Sequence, residues 1–503
     1  MMMLAQAANA LRARFEGADV RFEAVSTDTR TIQHGDLFIA LKGENFDGAK
    51  FVAQAAKAGA VAAVVNQDSG CGIQDTGVPL LYVEDTRLAL GKLAAHWRDQ
   101  FDIPLVAITG SNGKTTVKEM LAGILRQKIK DDLHDRSLSP REITSDLAAA
   151  FEQPSRMASS SIRVGEREHS EEGEELVLAT KGNYNNDIGM PLTLLKLRAT
   201  HRYAVIEMGM NHPKEIDYLT RIAKPDVALI NNAAGAHLQG LGSVEGVALA
   251  KGEIFAGLAS DGTAVINADD MHALIWRLLA GTHRVFDFAL ERPAAVKGKW
   301  KLQGYGGILE MRTPAGEIRV ELKVPGEHNA RNALAAATAA LALQVPPDTI
   351  ARALGSFGGV AGRLQRKDGL HGSTLIDDTY NANPASMHAA LEVLAQATGK
   401  RLLVLGDMGE LGDDAAKFHR EVGIAARELG IEKMFALGLL SAGAVQEFGA
   451  GAQHFDNIEA LQDALDKELD EQTVVLVKGS RFMKMERVVQ FCALRKEDTC
   501  CSH

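Results

Sequence analysis

Residues 103–127 read IPLVAITGSNGKTTVKEMLAGILRQ, and this stretch constrains the fold more than any other. Leu105, Val106, Ala107 and Ile108 form a short apolar run of the kind a strand buried on both faces carries. The chain then passes through Gly110-Ser111-Asn112-Gly113-Lys114-Thr115-Thr116 into a segment with apolar residues at 117, 120, 121, 124 and 125, a helical spacing. Strand, glycine turn and helix in succession make a cradle for phosphate. Amides of the turn and of the helix start point at the anion, and the helix dipole adds to the attraction. Lys114 is then expected to reach the outer phosphates, and the Thr115 hydroxyl to take a magnesium site. The bland alternative is a glycine turn before a surface helix with a solvated lysine; the strand before and the helix after weigh against it.

At 503 residues the chain is too long for one core, and about three domains is the natural expectation. Lys plus Arg number 55 against 65 for Asp plus Glu, a net charge of −10, which argues against nucleic acid as the main partner. Cys71, Cys492, Cys500 and Cys501 form no CxxC pair and no metal-ligand spacing, which is reduced, cytoplasmic usage. The N-terminus is broken early by Arg12 and Arg14 and reads as a helix rather than a signal peptide. No run of about 20 apolar residues is present, so no membrane span is expected.

The pattern along the chain is α/β throughout. Residues 1–101 alternate strand-like and helix-like stretches and form a small α/β domain. A central domain is expected over 102–324 around a parallel sheet that carries the phosphate cradle. Within it, 128–175 is rich in charge and serine without sustained periodicity, and is expected to be a flexible surface insertion. From about 299 the period becomes two, with Ile318, Val320, Leu322 and Val324 alternating with charges, and Pro325-Gly326 marks the boundary. Residues 325–503 repeat strand and helix as a Rossmann-like third domain. It has no G-x-G-x-x-G, so dinucleotide binding is not expected.

Polar residues gather at the expected strand ends, the rim where open α/β sheets bind ligands. Glu207 ends the strand at 203–207 and suits magnesium, a hard cation that keeps several waters. His237 follows the strand at 226–230, and Lys251 lies on the next helix. The loop after Thr180 carries Asn183, Asn185 and Asn186 between two glycines, a turn-prone segment that can offer amides to a ligand. Asn329 and Asn332 open an alanine-rich helix, where capping is the simplest role. Ser26, Asp28 and Arg30, and then Lys42, Asn45 and Asp47, read as turns with solvated charges on spacing alone. In the third domain Asp378, Tyr380 and Asn383, then Asp407, then Lys478 stand at strand ends, with His419 a weaker candidate.

The cradle departs from the general P-loop: Ile108 stands where its first glycine belongs, leaving the tighter T-G-S-N-G-K-T-T. That sequence resembles the ATP site of the Mur ligase family, and further motifs of the family follow in order in all three domains. The resemblance implies ATP bound by Gly110 to Thr116, with Asn329 and Asn332 near the adenine, Arg363 reaching the phosphates across the cleft and Asp378 beside the nucleotide. It makes Thr115, Glu207, His237 and Lys251 magnesium ligands, the lysine as a carbamate formed with carbon dioxide; an unmodified Lys251 pairing with phosphate is the competing role. It turns Ser26, Asp28, Arg30, Lys42, Asn45 and Asp47 into a uridine-diphosphate site, although Ala49 stands where the family's D-G-H has histidine. The loop G-N-x-N-N-x-x-G-x-P-L-T resembles the branch that adds D-alanyl-D-alanine to a UDP-linked muramoyl tripeptide, with Asn183, Asn185, Asn186, Tyr380 and Asn383 as substrate contacts. The D-N-P-R that marks diaminopimelate recognition in a sister ligase is missing. A monomer is expected. A sister ligase and a nucleotide-binding regulatory protein with an inert site are the other readings.

Overall fold

The structure is a computed structural model that describes residues 1–43, 47–70, 77–135, 176–235 and 238–493. It is built on three large sheets, with a two-stranded pair of Met2–Met3 and Arg21–Phe22 besides. The first has five strands in the order Arg14–Glu16, Leu80–Val83, Ala62–Asn66, Asp36–Ile39 and Ala24–Ser26, parallel except at the Arg14–Glu16 edge. The second has nine. Its parallel part runs Arg284–Ala289, Thr263–Asn267, Val227–Ile230, Leu105–Thr109, Tyr203–Glu207 and Val177–Ala179, and Val296–Gln303, Gly306–Thr313 and Gly316–Leu322 extend it as a meander. The third has six strands, Gln365–Asp368 antiparallel at one edge and then Thr374–Asp378, Thr473–Lys478, Lys400–Gly406, Lys433–Leu437 and Ala452–Phe455 in parallel.

Leu105–Thr109 lies inside the second sheet, between Val227–Ile230 and Tyr203–Glu207, and all five of its residues are buried. Because side chains alternate across a strand, Leu105 and Ala107 enter one core while Val106 and Ile108 enter another. The first of these cores continues without a break into the five-stranded unit. Leu4, Phe22, Leu37, Leu90 and Trp97 belong to it together with Leu219, Ile254 and Trp276. Trp97 Nε1 donates to the Leu197 carbonyl at 3.1 Å and Arg98 Nε to that of Ala223 at 3.1 Å, so the two units are joined by apolar packing and satisfied polar groups alike. The six-stranded unit has its own two cores.

Two expectations need correction. The helix after the glycine turn runs over Lys114–Asp135, eight residues beyond the expected start of the insertion at 128; residues 136–175 lie outside the described residues. The charges of this last part are helical partners: Lys128 Nζ donates to Asp132 at 2.9 Å and Gln127 Nε2 to Asp131 at 2.8 Å, both one turn on. The boundary expected at Pro325-Gly326 also moves. Helices Glu327–Ala342 and Pro347–Ser356 pack into the core of the nine-stranded sheet, so the seam falls in 357–363, where Gly359 and Gly362 adopt φ of 96° and 70°. Among the described residues no helix is long and apolar enough to cross a membrane.

Candidate active site

The nine-stranded sheet delivers its polar residues to one rim because its parallel strands all end there. Thr109 leads into the glycine turn, Glu207 closes the strand on one side and Asn231 follows the strand on the other. The turn is pinned from below by that second strand end. Ser111 N–H donates to the Asn232 carbonyl at 3.0 Å, Asn112 N–H to Asn232 Oδ1 at 2.9 Å, and the Asn231 and Asn232 amides donate to the Asn112 carbonyl at 3.0 and 3.1 Å. Gly113 sits at φ 78°, and a Cβ there would lie 2.2 Å from Asn332 Oδ1 and 2.6 Å from Asn231 Nδ2. Only glycine fits. The helix then begins at Lys114, so the amides of Lys114, Thr115 and Thr116 have no carbonyl one turn earlier and remain available to an anion.

Thr115 is the junction of the site. Its Oγ1 donates to Glu207 Oε2 at 2.9 Å and accepts from Arg363 Nη2 at 2.9 Å, bringing the last residue of the seam onto the glycine turn. Glu207 is only 2% exposed, and its other oxygen accepts from Asn185 Nδ2 at 2.8 Å. Arg363 lies 4.1 Å over the Tyr380 ring, and Asn383 Nδ2 donates to Asn112 Oδ1 at 2.9 Å. Lys114 Nζ donates to the Gly110 carbonyl at 2.7 Å; burial holds its ammonium below the usual lysine range, with Glu207 opposing and Arg363 adding to the shift. Lys251 is 1% exposed, and its Nζ has the Met210 sulfur at 3.7 Å. Burial, and then the charge of Lys114, push its pKa well down, which favours the neutral amine.

Asn332 and Asn329 do not cap their helix, whose N-cap is Gly326 without a side-chain bond; they form a buried amide chain instead. Asn231 Nδ2 donates to Asn332 Oδ1 at 2.9 Å, Asn332 Nδ2 to Asn329 Oδ1 at 3.2 Å, and Asn329 Nδ2 to the Pro325 carbonyl at 2.8 Å. Asp378 is buried and held by Lys478 Nζ at 2.5 Å and the Leu364 amide at 3.2 Å. Burial raises its carboxyl pKa, and the lysine opposes that rise. Nearby His328 is pushed down to about 4 by burial, with Lys478 and Arg331 adding to the effect. His419 is a packed core histidine: Nε2 accepts from the Met408 amide at 2.9 Å, and Nδ1 meets the Ala415 carbonyl at 2.7 Å.

The candidates on the first sheet form a separate group. Arg30 chelates Asp28, with Nη2 to Oδ2 at 2.6 Å, and this pairing holds the Asp28 carboxyl at about 2. Ser26 Oγ donates to the Asp28 carbonyl at 3.1 Å, Asp47 caps the turn at Ala49 at 3.0 Å, and the Lys42 amide donates to Thr86 Oγ1 at 3.3 Å. In the asparagine loop, Asn186 Oδ1 caps the helix Gly189–Leu194 through the Gly189 amide, and the Asn183 carbonyl accepts from the Asn185 amide. Asn45 and His237 lie outside the described residues. Asn231 and Asn232 were missed as site residues; two asparagines directly after an apolar strand were the available signal.

The arrangement fits a nucleotide and a cation. Asn231 Oδ1 and Arg363 Nε are buried without a hydrogen-bond partner, and glycine at 113 lets the turn pack directly against Asn231 and Asn332. Thr115 and Glu207 offer hard oxygens side by side. Among the described residues no cluster of three His, Cys, Asp or Glu side chains forms.

Comparison with known proteins agrees with this geometry. Residues 21–98 match the family model described as Mur ligase family, catalytic domain, residues 108–340 the Mur ligase middle domain, and residues 362–481 the Mur ligase, glutamate ligase domain. The UDP-N-acetylmuramoyl-tripeptide–D-alanyl-D-alanine ligase of Escherichia coli is 40% identical, covering 99% of both chains. The Bacillus subtilis enzyme of the same name is 33% identical over 93% of this chain and 92% of that one. The crystal structure of MurF from Acinetobacter baumannii superposes with a TM-score of 0.80 at 33% identity, covering 97% of both chains. By sequence over its full length and by its three-sheet architecture, this chain belongs to the Mur ligase family.

Proposed function

We propose that the protein joins D-alanyl-D-alanine to UDP-N-acetylmuramoyl-tripeptide, cleaving ATP to ADP and phosphate and yielding the muramoyl pentapeptide used for peptidoglycan. The observation that carries this reading is the junction at Thr115, where the glycine turn, a buried carboxylate and an arginine of the seam meet within 2.9 Å. Full-length similarity to ligases of that name supports the choice of substrates.

The tripeptide carboxylate is a poor electrophile and is activated first, by attack on the γ-phosphorus of ATP to form an acyl phosphate. The amides at the start of Lys114–Asp135, Lys114 and Arg363 face the charge that moves in this transfer. Magnesium, held by Thr115 and Glu207 and assisted by Lys251 as its carbamate, would neutralise phosphate charge. The amine of D-alanyl-D-alanine then attacks the acyl carbon, and collapse of the tetrahedral adduct releases phosphate. Placing two substrates and ATP in one cleft supplies proximity. We assign uridine-diphosphate binding to the five-stranded unit, with Ser26, Asp28, Arg30, Lys42 and Asp47, and dipeptide binding to the six-stranded unit, with Tyr380 and Asn383. The protein acts as a monomer in the cytoplasm.

Phosphate release measured with D-alanyl-D-alanine, with single amino acids, and with no acceptor tests the assignment. Release that depends on the tripeptide and on the dipeptide together is expected. Release driven equally well by a single amino acid would point to a sister ligase, and none under any condition would refute the ligase reading.

A further inference from the structure

One ion pair outside the catalytic cluster ties the five-stranded unit to it. Arg87 stands in the first turn of helix Thr86–Arg98, whose cap, Asp85, accepts from the amides of Arg87 and Leu88 at 2.7 and 3.0 Å. Its guanidinium grips Asp187 with two bonds, Nη2 to Oδ1 at 2.7 Å and Nε to Oδ2. A forked contact of this kind fixes orientation as well as distance.

Asp187 belongs to the asparagine loop, and its neighbours there are tied to the catalytic sheet. Asn186 Oδ1 accepts from the Gly189 amide at 2.8 Å, and the Asn185 carbonyl accepts from the Gly209 amide at 2.8 Å. The Asn185 side chain holds Glu207 Oε1 at 2.8 Å. Contact at Gly209 is close, since a Cβ there would come within 3.0 Å of the Asn185 carboxamide. On the other side, Thr86 accepts from the Lys42 amide. Polar contacts joined by short stretches of chain therefore run from Lys42 to Thr86, from the adjoining Arg87 to Asp187, and from Asn185, two residues before Asp187, to Glu207 and on to Thr115. The chemistry above does not use Arg87, and the pair, with side chains 53% and 27% exposed, contributes little to stability by itself.

We propose that Arg87 is a positioning residue: through Asp187 it holds the loop at 181–189 so that the Asn185 carboxamide keeps Glu207 turned toward Thr115. Through these contacts, substrate seated on the five-stranded unit is coupled to the site of phosphoryl transfer. The inference rests on the ligase reading above.

Arg87→Met, Asp187→Asn and the charge swap Arg87→Asp with Asp187→Arg test it in the full chain. In each single variant kcat should fall about tenfold while KM for D-alanyl-D-alanine stays unchanged. The magnesium concentration for half-maximal rate should rise severalfold. In the enzyme without nucleotide, amide exchange over 181–189 should quicken. The swap should recover most of the rate and of the exchange protection. Unchanged kcat and magnesium dependence with a lowered melting temperature would overturn the proposal, since that is what a merely structural pair produces. A swap that restores stability but not rate would overturn it as well. Should Arg87→Met not fold, Arg87→Lys keeps the charge without the fork and must show the same rise in magnesium requirement. Wild type run alongside separates the two readings. No amide from wild type refutes the ligase assignment, whereas an active wild type with equally active variants refutes only the role of Arg87.

Discussion

Replacing Lys478 by methionine removes one half of the buried ion pair behind the cleft and keeps most of its apolar volume. Lys478 is 2% exposed and Asp378 8%, so water cannot replace the lost partner. The substitution deletes a 2.5 Å charge-assisted bond to Asp378 and a 2.9 Å bond to the Asn381 carbonyl, leaving the carboxylate with the Leu364 amide at 3.2 Å. Breaking a buried pair from one side costs about 3–5 kcal/mol, against about 0–1 kcal/mol for an exposed one. The sign with pH is fixed too. Burial already raises the Asp378 carboxyl from its usual 3.8, and without the ammonium only the smaller opposition of Arg363 and the Leu364 amide remains. A carboxyl with a folded pKa above its unfolded one destabilises the fold once ionised, so the variant should regain stability as the pH falls. The recovery is at most about 1.4 kcal/mol per pH unit between the raised pKa and 3.8. Native-state amide exchange along Thr473–Lys478 reads the opening free energy of this unit directly. Adding Asp378→Asn should restore a large part of the loss. A cost below about 1 kcal/mol, or one that does not change with pH, would refute the reasoning.

Two further outcomes follow from the same site. Gly113→Ala places a methyl group against Asn332 and Asn231 at φ 78°, where a side chain alone costs about 1–2 kcal/mol; ATP affinity measured by calorimetry should fall at least tenfold, and an unchanged affinity would contradict the cradle. Burial lowers the Lys251 pKa and so favours the neutral amine that reacts with carbon dioxide; carbon-dioxide-free buffer should slow the enzyme, and Lys251→Ala should be nearly inactive and partly rescued by short carboxylates, whereas indifference to both would exclude the carbamate.

The parts of the fold legible in the sequence are those whose signal is local. Leu105–Thr109 is buried on both faces and therefore continuously apolar, and the turn after it needs glycine at 113 whatever surrounds it. The end of the following helix was hidden because its last turns carry charge. Asp131, which looks like a loop residue, accepts from Arg352 Nη2 at 2.6 Å and also binds Thr349, so it belongs to a seam between helices more than 200 residues apart in sequence. The boundary at 325 misled for a related reason: the alanines of Glu327–Ala342 suit a surface helix or a buried one, and only the sheet they meet decides. In the site, Lys114, Thr115, Glu207 and Arg363 were readable as motif positions. The Asn231–Asn332 and Arg87–Asp187 contacts span 101 and 100 residues, and no local pattern records such pairs.

The central claim is an acyl phosphate made at the glycine turn and captured by the dipeptide. Oxygen-18 placed in the terminal carboxylate of the tripeptide tests it most directly. One labelled atom should appear in the inorganic phosphate for each amide formed with D-alanyl-D-alanine. Amide formation that releases unlabelled phosphate would contradict the account.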